Sequence, residues 1–175
     1  MKNFIFVLFV LGCVETVHAQ YQVTDNGSAV QFKIKNLGFG VAGSFTGLDG
    51  KIQFDLNKMP EASFDVSVDA NSINTGINMR DDHLRKESYF DVTKFPRIKI
   101  VSTKITNQAK NSYLFSGKLT IKNRTKDISF PFTAEPQDGG YIFKGSFKMN
   151  RKDFDIGGSS TISDQLEVTL NVYAK

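Results

Sequence analysis

Residues 113–134 read YLFSGKLTIKNRTKDISFPFTA, and they carry the clearest indication of the fold. Apolar side chains recur at every second position in two runs, with a polar turn around residues 123–125 between them. The apolar set consists of Tyr113, Phe115, Leu119, Ile121, Ile128, Phe130, Phe132 and Ala134. Because successive side chains of a strand point to opposite faces, the pattern predicts two antiparallel strands with one apolar face.

The same alternation extends over most of the chain, from about residue 28 onward. The further apolar sets are Val30, Phe32 and Ile34; Val41 and Phe45; Ile52 and Phe54; Phe64, Val66 and Val68; Tyr141, Phe143, Phe147 and Met149; and Leu166, Val168, Leu170 and Val172. Another strand is predicted over residues 97–105, and Asn, Asp and Gly residues mark the turns between the runs. About eight or nine short strands of this kind predict an all-β, antiparallel sheet that closes around its apolar side.

One segment, residues 76–86 (GINMRDDHLRK), breaks the period of two. Charges on several sides with interleaved apolar residues predict a short helix or turn packed over one end of the barrel. His83 beside Asp81 and Asp82 raises the hypothesis of a metal or acid-base site. The favoured alternative is that these carboxylates pair with Arg80, Arg85 or Lys86 and that His83 is a partly exposed polar residue.

The first 19 residues have the features of a signal peptide. Lys2 precedes an apolar run over residues 4–14, and Val17 and Ala19 supply a cleavage site before the domain at residues 20–175. We therefore expect a periplasmic or secreted protein. A minor alternative is a lipoprotein anchored at Cys13, because the residues before this cysteine loosely resemble a lipoprotein cleavage box.

Composition excludes several classes of function. Cys13, the only cysteine, lies in the predicted leader, so thiol chemistry, disulfides and sulfur ligands are not expected in the domain. The net charge of +4 is spread along the chain and does not predict nucleic-acid binding. No Gly-x-Ser-x-Gly motif is present, and no segment after the leader is long and apolar enough to span a membrane. We predict that the protein is not an enzyme and has no metal or cofactor.

The alternation leaves open whether the barrel interior is filled. An eight-stranded barrel can be filled by its own side chains or can hold one slender ligand, and the pattern alone favours the filled core. Gly117 and Gly145 fall in phase with inward residues, where they either accommodate a neighbouring ring or leave room for something else. If a pocket exists, its apolar lining predicts a hydrocarbon chain as the ligand.

Four stretches together resemble the YceI-like, lipocalin-like family of bacterial polyisoprenoid-binding proteins. They are GSFTGLDGKIQFDL at 43–56, the segment at 72–105 with its Arg-Asp-x-His-Leu signature, FSGKLTIKNRTKDISFPF at 115–132, and NRKDFDIG at 150–157. The resemblance implies an extended eight-stranded antiparallel barrel with a helical insertion near residues 76–86. It also implies an elongated apolar tunnel for a polyprenyl chain, such as an isoprenoid quinone or polyprenyl phosphate.

The predicted partner is therefore a long-chain isoprenoid lipid, with no stable membrane span and with the oligomeric state left open, a homodimer included. The predicted lining residues are Phe32, Phe45, Phe54, Phe64, Val66, Phe115, Leu119, Phe130, Phe132, Phe143, Phe147 and Leu170. The predicted headgroup or mouth residues are Arg80, His83, Arg85 and Arg151.

Two departures from the family pattern concern the ends of the barrel. Asn36-Leu37 stands where many relatives carry a histidine, and Asp155 stands where glycine is common.

Two other functions stay open. One is a filled barrel that acts through its surface as an interaction or stress-response module. The other, less favoured, is a lipid-modifying enzyme that uses Asp82 and His83.

Overall fold

The structure is a computed structural model that describes residues 20–158 and 161–175. The predicted signal peptide, with Cys13, lies outside the described residues. Within the described part of the chain, no helix has the length and apolar character needed to cross a membrane.

The described residues form nine strands of one antiparallel sheet. They are β1 (Gln20–Asn36), β2 (Phe39–Phe45), β3 (Asp49–Gln53), β4 (Ser63–Asp69), β5 (Arg97–Ala109), β6 (Ser112–Ile121), β7 (Arg124–Gln137), β8 (Gly140–Asn150) and β9 (Ile162–Ala174). β1 pairs with β9 along most of its length, which closes the sheet into a barrel. On its other edge, β1 pairs first with β3 and then with β2, so these two act as one interrupted strand. The predicted eight-stranded antiparallel barrel is confirmed.

Short helical elements fill the gaps between strands. The α-helix α1 (Asn78–Leu84) lies within the predicted insertion at 76–86, and short 3₁₀ turns cover Met59–Glu61, Ala70–Ser72 and Arg151–Phe154. β5 runs on to Ala109 instead of ending at residue 105, because its pairing with β6 continues past a bulge near Asn107. This extension is polar and exposed, which explains why the apolar pattern did not predict it.

The two ends of the barrel differ. At the end where β1 begins, which we call the tyrosine end, the ring of Phe54 is fully buried. It meets the rings of Tyr113, Tyr141 and Phe143 edge-on, at centroid distances of 5.2, 5.3 and 5.3 Å. Such T-shaped contacts are the favoured geometry for packed aromatic rings. At the opposite end, the helix end, β1 stops at Asn36 and α1 packs beside the barrel.

The inward glycines accommodate neighbouring rings, the first of the two predicted roles. A Cβ atom at Gly117 would lie 2.6 Å from Cζ of Phe115, and one at Gly145 would lie 3.1 Å from Cε2 of Phe130. These two phenylalanines stack on each other at 4.8 Å. The glycines therefore let large rings lie flat against the barrel wall.

Tyr113, at the tyrosine end, is expected to make the folded protein less stable at alkaline pH. Burial raises the pKa of Tyr113 above its ordinary value of 10.0, and Tyr141 nearby adds to the effect. As the pH rises above this ordinary value, the unfolded chain loses the phenolic proton first. The free energy of unfolding therefore falls until the folded pKa is passed. We expect Tyr113→Phe to flatten this decline in urea unfolding followed from about pH 8 to 11.

The matched control is Tyr173→Phe, which removes a hydroxyl exposed on the outer surface. This control should keep the wild-type slope. An unchanged slope in Tyr113→Phe would show that Tyr113 ionises in the native barrel as readily as in water.

Candidate functional site

A cavity of about 220 Å³ lies inside the barrel. A single water needs only about 10–15 Å³ of such space, so this cavity has room for a chain-like molecule. It extends from the helix end toward the ring cluster at the tyrosine end, and its walls are almost wholly aliphatic and aromatic. The interior is therefore open, contrary to the filled core that the alternation alone favoured.

The cavity is bordered by all but one of the predicted lining residues. These are Phe32, Phe45, Phe64, Val66, Phe115, Leu119, Phe130, Phe132, Phe143, Phe147 and Leu170. Phe54 is the exception: it points inward as predicted but lies beyond the cavity, in the ring cluster that closes the tyrosine end. Their role in binding a ligand stays a prediction.

Other lining residues were not predicted as site residues. Most continue the same alternation, including Val30, Ile34, Ile100, Val168 and Val172. A second group, Leu84, Tyr89 and Phe90, comes from α1 and the turns that follow it. No period-two signal could have found this group, because its position depends on how the segment folds back onto the barrel.

The segment after β4 completes the wall at the helix end. One edge of β2 pairs with β1. On the other edge, Ser44 forms an isolated bridge with Asn74, through a reciprocal pair of backbone hydrogen bonds of 2.9 and 3.0 Å. Half-exposed residues line the cavity beside this edge, where it reaches the surface: Asn36, Val41, Thr75 and Arg80. We call this opening the mouth.

Arg80 is held at the mouth by Thr75. Its Nε donates to the Thr75 hydroxyl and its Nη2 to the Thr75 carbonyl oxygen, both at 2.7 Å. The Thr75 hydroxyl and backbone N–H both donate to Oδ1 of Asp81, a carboxylate only 4% exposed. A buried carboxylate needs such donors, so this set of bonds fixes the start of α1 and with it the guanidinium.

Two of the predicted headgroup residues lie elsewhere. Arg85 donates to the carbonyl oxygens of Asn71 and Ile73 and to Asp82 at 2.8 Å, which ties α1 to the preceding turn. His83 is exposed and packs against Tyr89. Neither His83 nor Arg85 borders the cavity. The reason is helical geometry: residues four apart share a face, so Leu84 follows Arg80 toward the cavity while its neighbours turn away.

The structure also bears on the two chemical interpretations of the insertion. Asp82 pairs with Arg85, as the favoured alternative expected. The same expectation is wrong for Asp81, which is buried and accepts its hydrogen bonds from Thr75. Among the described residues, no three histidine, cysteine or acidic side chains are grouped so that they could hold a metal ion.

Arg151 borders the cavity but is used to hold a loop. The side chain is nearly inaccessible. Among the described residues, its guanidinium donates over 2.7–3.3 Å to five backbone carbonyls and one carboxylate. These acceptors belong to Ile156, Gly157, Gly158, Ile162, Ser163 and Asp164. The bonds gather residues 156–158 and the start of β9 around one charge.

Asp155 shows how one departure from the family pattern is accommodated. Its φ of 51° is the left-handed conformation that glycine adopts most easily, so the turn has the shape typical of a glycine there. Its carboxylate pairs with Arg124 across the loop.

A model of the YceI-like domain matches residues 21–174, which is almost the whole described chain. The chain belongs to the YceI-like family. Among curated proteins, this YceI-like chain is 33% identical over 147 residues to a UPF0312 protein of Shewanella denitrificans, covering 79% of this chain and 77% of that protein. It is 34% identical over 173 residues to a UPF0312 protein of Pseudomonas fluorescens, with coverage of 89% and 87%.

Solved structures show the same fold. The crystal structure of Burkholderia cenocepacia BcnA superposes with a TM-score of 0.82 at 25% identity, covering 87% of this YceI-like chain and 99% of that one. A structure from Saccharophagus degradans, described as a polyisoprenoid binding domain, superposes with a TM-score of 0.71 at 14% identity and covers 89% and 97% of the two chains.

Proposed function

We propose that this protein binds a single long isoprenoid lipid, of the polyprenyl or isoprenoid-quinone type, inside the barrel and thereby stores, carries or shields it. The observation that carries the proposal is an apolar cavity that is closed by rings at the tyrosine end and bordered by one fixed guanidinium at its mouth. The Saccharophagus domain of the same fold, described as polyisoprenoid-binding, supports the choice of ligand class.

The walls of the cavity suit a single hydrocarbon chain, because they are almost wholly apolar. Burial of about 400 Å² of ligand at roughly 25 cal/mol per Å² contributes on the order of 10 kcal/mol before the costs of association. Aromatic side chains supply much of the wall, and their flat faces suit the planar double bonds of an isoprenoid. Apolar contact alone can therefore hold such a chain.

The asymmetry of the ends supports one orientation. The apolar tail would lie toward Phe54 and Tyr113, and the polar headgroup would lie near Arg80 at the mouth. Arg80 can donate to the carbonyl oxygen of a quinone or to a phosphate oxygen. We assign Arg151 no headgroup contact, since its bonds are to the loop.

The proposed role is binding without catalysis and without a further cofactor. His83 lies outside the cavity lining and on the exposed face of α1, which gives a bound lipid no acid-base partner there. We also propose export to the periplasm or beyond the cell, supported by the leader-like pattern of residues 1–19.

The direct test is native mass spectrometry of protein purified from its own host without detergent, followed by organic extraction. We expect one bound lipid of isoprenoid mass per chain, because the cavity is closed at one end and has room for one chain. Stripped protein should take up a polyprenol or quinone with a stoichiometry of about one and release it slowly. A protein that arrives empty and takes up neither compound would contradict the proposal.

A further inference from the structure

Exposed apolar side chains gather at the helix end. Among the described residues, five large apolar side chains are exposed, and four of them lie at this end: Leu37, Phe39, Ile77 and Met79, at 69, 77, 53 and 84%. We call these four residues the apolar rim. The fifth, Leu56, follows β3 at the tyrosine end. Isolated exposed apolar residues are common, but a group on one border of a cavity indicates an interaction site.

The apolar rim borders the mouth on two sides. Leu37 and Phe39 lie at the tip of the β1–β2 hairpin, directly after the lining residue Asn36. Ile77 and Met79 flank the start of α1, next to the lining residues Thr75 and Arg80. The bridge between Ser44 and Asn74 holds the hairpin and this segment together.

Leucine is an unusual residue at position 37, because the backbone there has a positive φ. Leu37 and Gly38 form a two-residue turn with φ of 50° and 83°, the conformation in which asparagine and glycine are preferred. A leucine with a left-handed backbone lowers the free energy of unfolding. The Leu37 side chain is largely exposed, so its packing offsets little of this loss. A residue that is unfavourable for the fold at such a place points to a role outside folding.

Asp82 on α1 is neutralised by its pair with Arg85, and two cations remain beside the apolar rim. Lys35 lies on the outer face of β1 opposite Gly40, and Arg80 contacts Thr75, so neither cation forms an ion pair with a carboxylate in the described structure. Basic residues beside exposed apolar side chains match a surface that has anionic headgroups above hydrocarbon. A protein partner would need a groove that is both acidic and apolar, and no feature of the described chain points to such a partner.

We propose that the apolar rim inserts into the surface of an anionic lipid bilayer, with Lys35 and Arg80 at the level of the headgroup phosphates. This placement brings the mouth to the headgroup layer, so that an isoprenoid chain passes between bilayer and cavity without crossing water. The inference rests on the proposed lipid-binding function and adds the surface through which the lipid is exchanged.

The experiment is flotation with vesicles of phosphatidylcholine containing about 30% phosphatidylglycerol, using protein purified from its own host. Leu37→Asn should keep or raise the melting temperature, because asparagine suits the turn. Leu37→Asn combined with Phe39→Ser should weaken vesicle binding by at least about 10-fold, because two inserted side chains are lost. The matched control, Leu56→Ser, removes an exposed leucine at the other end and should bind vesicles like the wild type.

Three results would overturn the proposal. They are the absence of vesicle binding by the wild type, equal loss in the rim variant and in the Leu56 control, and a rim variant that only converts a dimer to a monomer. The last result would assign the apolar rim to a second copy of the chain.

A separate readout keeps this proposal distinct from the binding function. Uptake of a polyprenol presented in detergent should be unchanged in the rim variant, because the cavity itself is intact. Vesicle binding by a protein that takes up no lipid would contradict the proposed lipid-binding function and leave the docking proposal intact. Lipid uptake without vesicle binding would contradict the docking proposal and leave the lipid-binding function intact.

Discussion

Replacement of Arg151 by methionine is expected to lower the free energy of unfolding by about 3 to 5 kcal/mol, near the limit for a single substitution. Within the part of the chain that the structure describes, the guanidinium donates to five backbone carbonyls and to Asp164, and methionine supplies no donor for any of them. Asp164 is 40% exposed and can be hydrated, so the loss arises mainly from the carbonyl groups of the loop.

Chemical denaturation at neutral pH measures this effect. Lys152→Met is the matched control, since Lys152 pairs with the same carboxylate at 2.9 Å but is half exposed. An exposed pair of this kind is worth about 0–1 kcal/mol, and the control should change stability by no more than that. Similar losses in the two variants would show that the carbonyl cluster contributes little and that the charge pair with Asp164 is what matters.

Val168→Trp is expected to weaken isoprenoid binding on the order of 100-fold while leaving the barrel folded. Val168 borders the cavity between its register partners Phe32 and Phe147, so an indole at this position enters open space. Displacing about 100 Å² of ligand contact costs roughly 2.5 kcal/mol at 25 cal/mol per Å². Because the added ring fills a cavity, the free energy of unfolding should change by less than about 1.5 kcal/mol.

Titration of stripped protein with a polyprenol, read by native mass spectrometry, measures the change in affinity. The control is Thr169→Trp, which places the same ring one residue along, on the exposed outer face of β9. This variant should bind the lipid like the wild type. Full affinity in Val168→Trp would mean that the lipid does not occupy this part of the barrel.

The alternation of apolar and polar residues was enough to predict the barrel and most of the inward-facing side chains. Alternation is a local property: once a segment is a strand, its side chains divide between two faces whatever the rest of the chain does. Phe115, Phe130 and Phe147 could therefore be placed inside, and the break in the period at residues 76–86 marked the helical insertion.

Which of the inward residues border the cavity could not be predicted from this alternation. Phe54 and Phe64 follow the same pattern, yet Phe54 closes the tyrosine end and Phe64 borders the cavity. The difference depends on the distance across the barrel at each level. That distance follows from strand number, stagger and tilt, which no local pattern encodes.

The charged residues show the same division. Composition and spacing gathered Arg80, His83 and Arg85 into one candidate group, but the angle at which α1 packs turns only Arg80 toward the cavity. The loop around Arg151 could be predicted even less from sequence, because the acceptors of the Arg151 guanidinium are mostly backbone carbonyls, which every residue carries. Sequence identifies side chains, whereas the direction of a backbone dipole is settled only when the chain has folded around the charge.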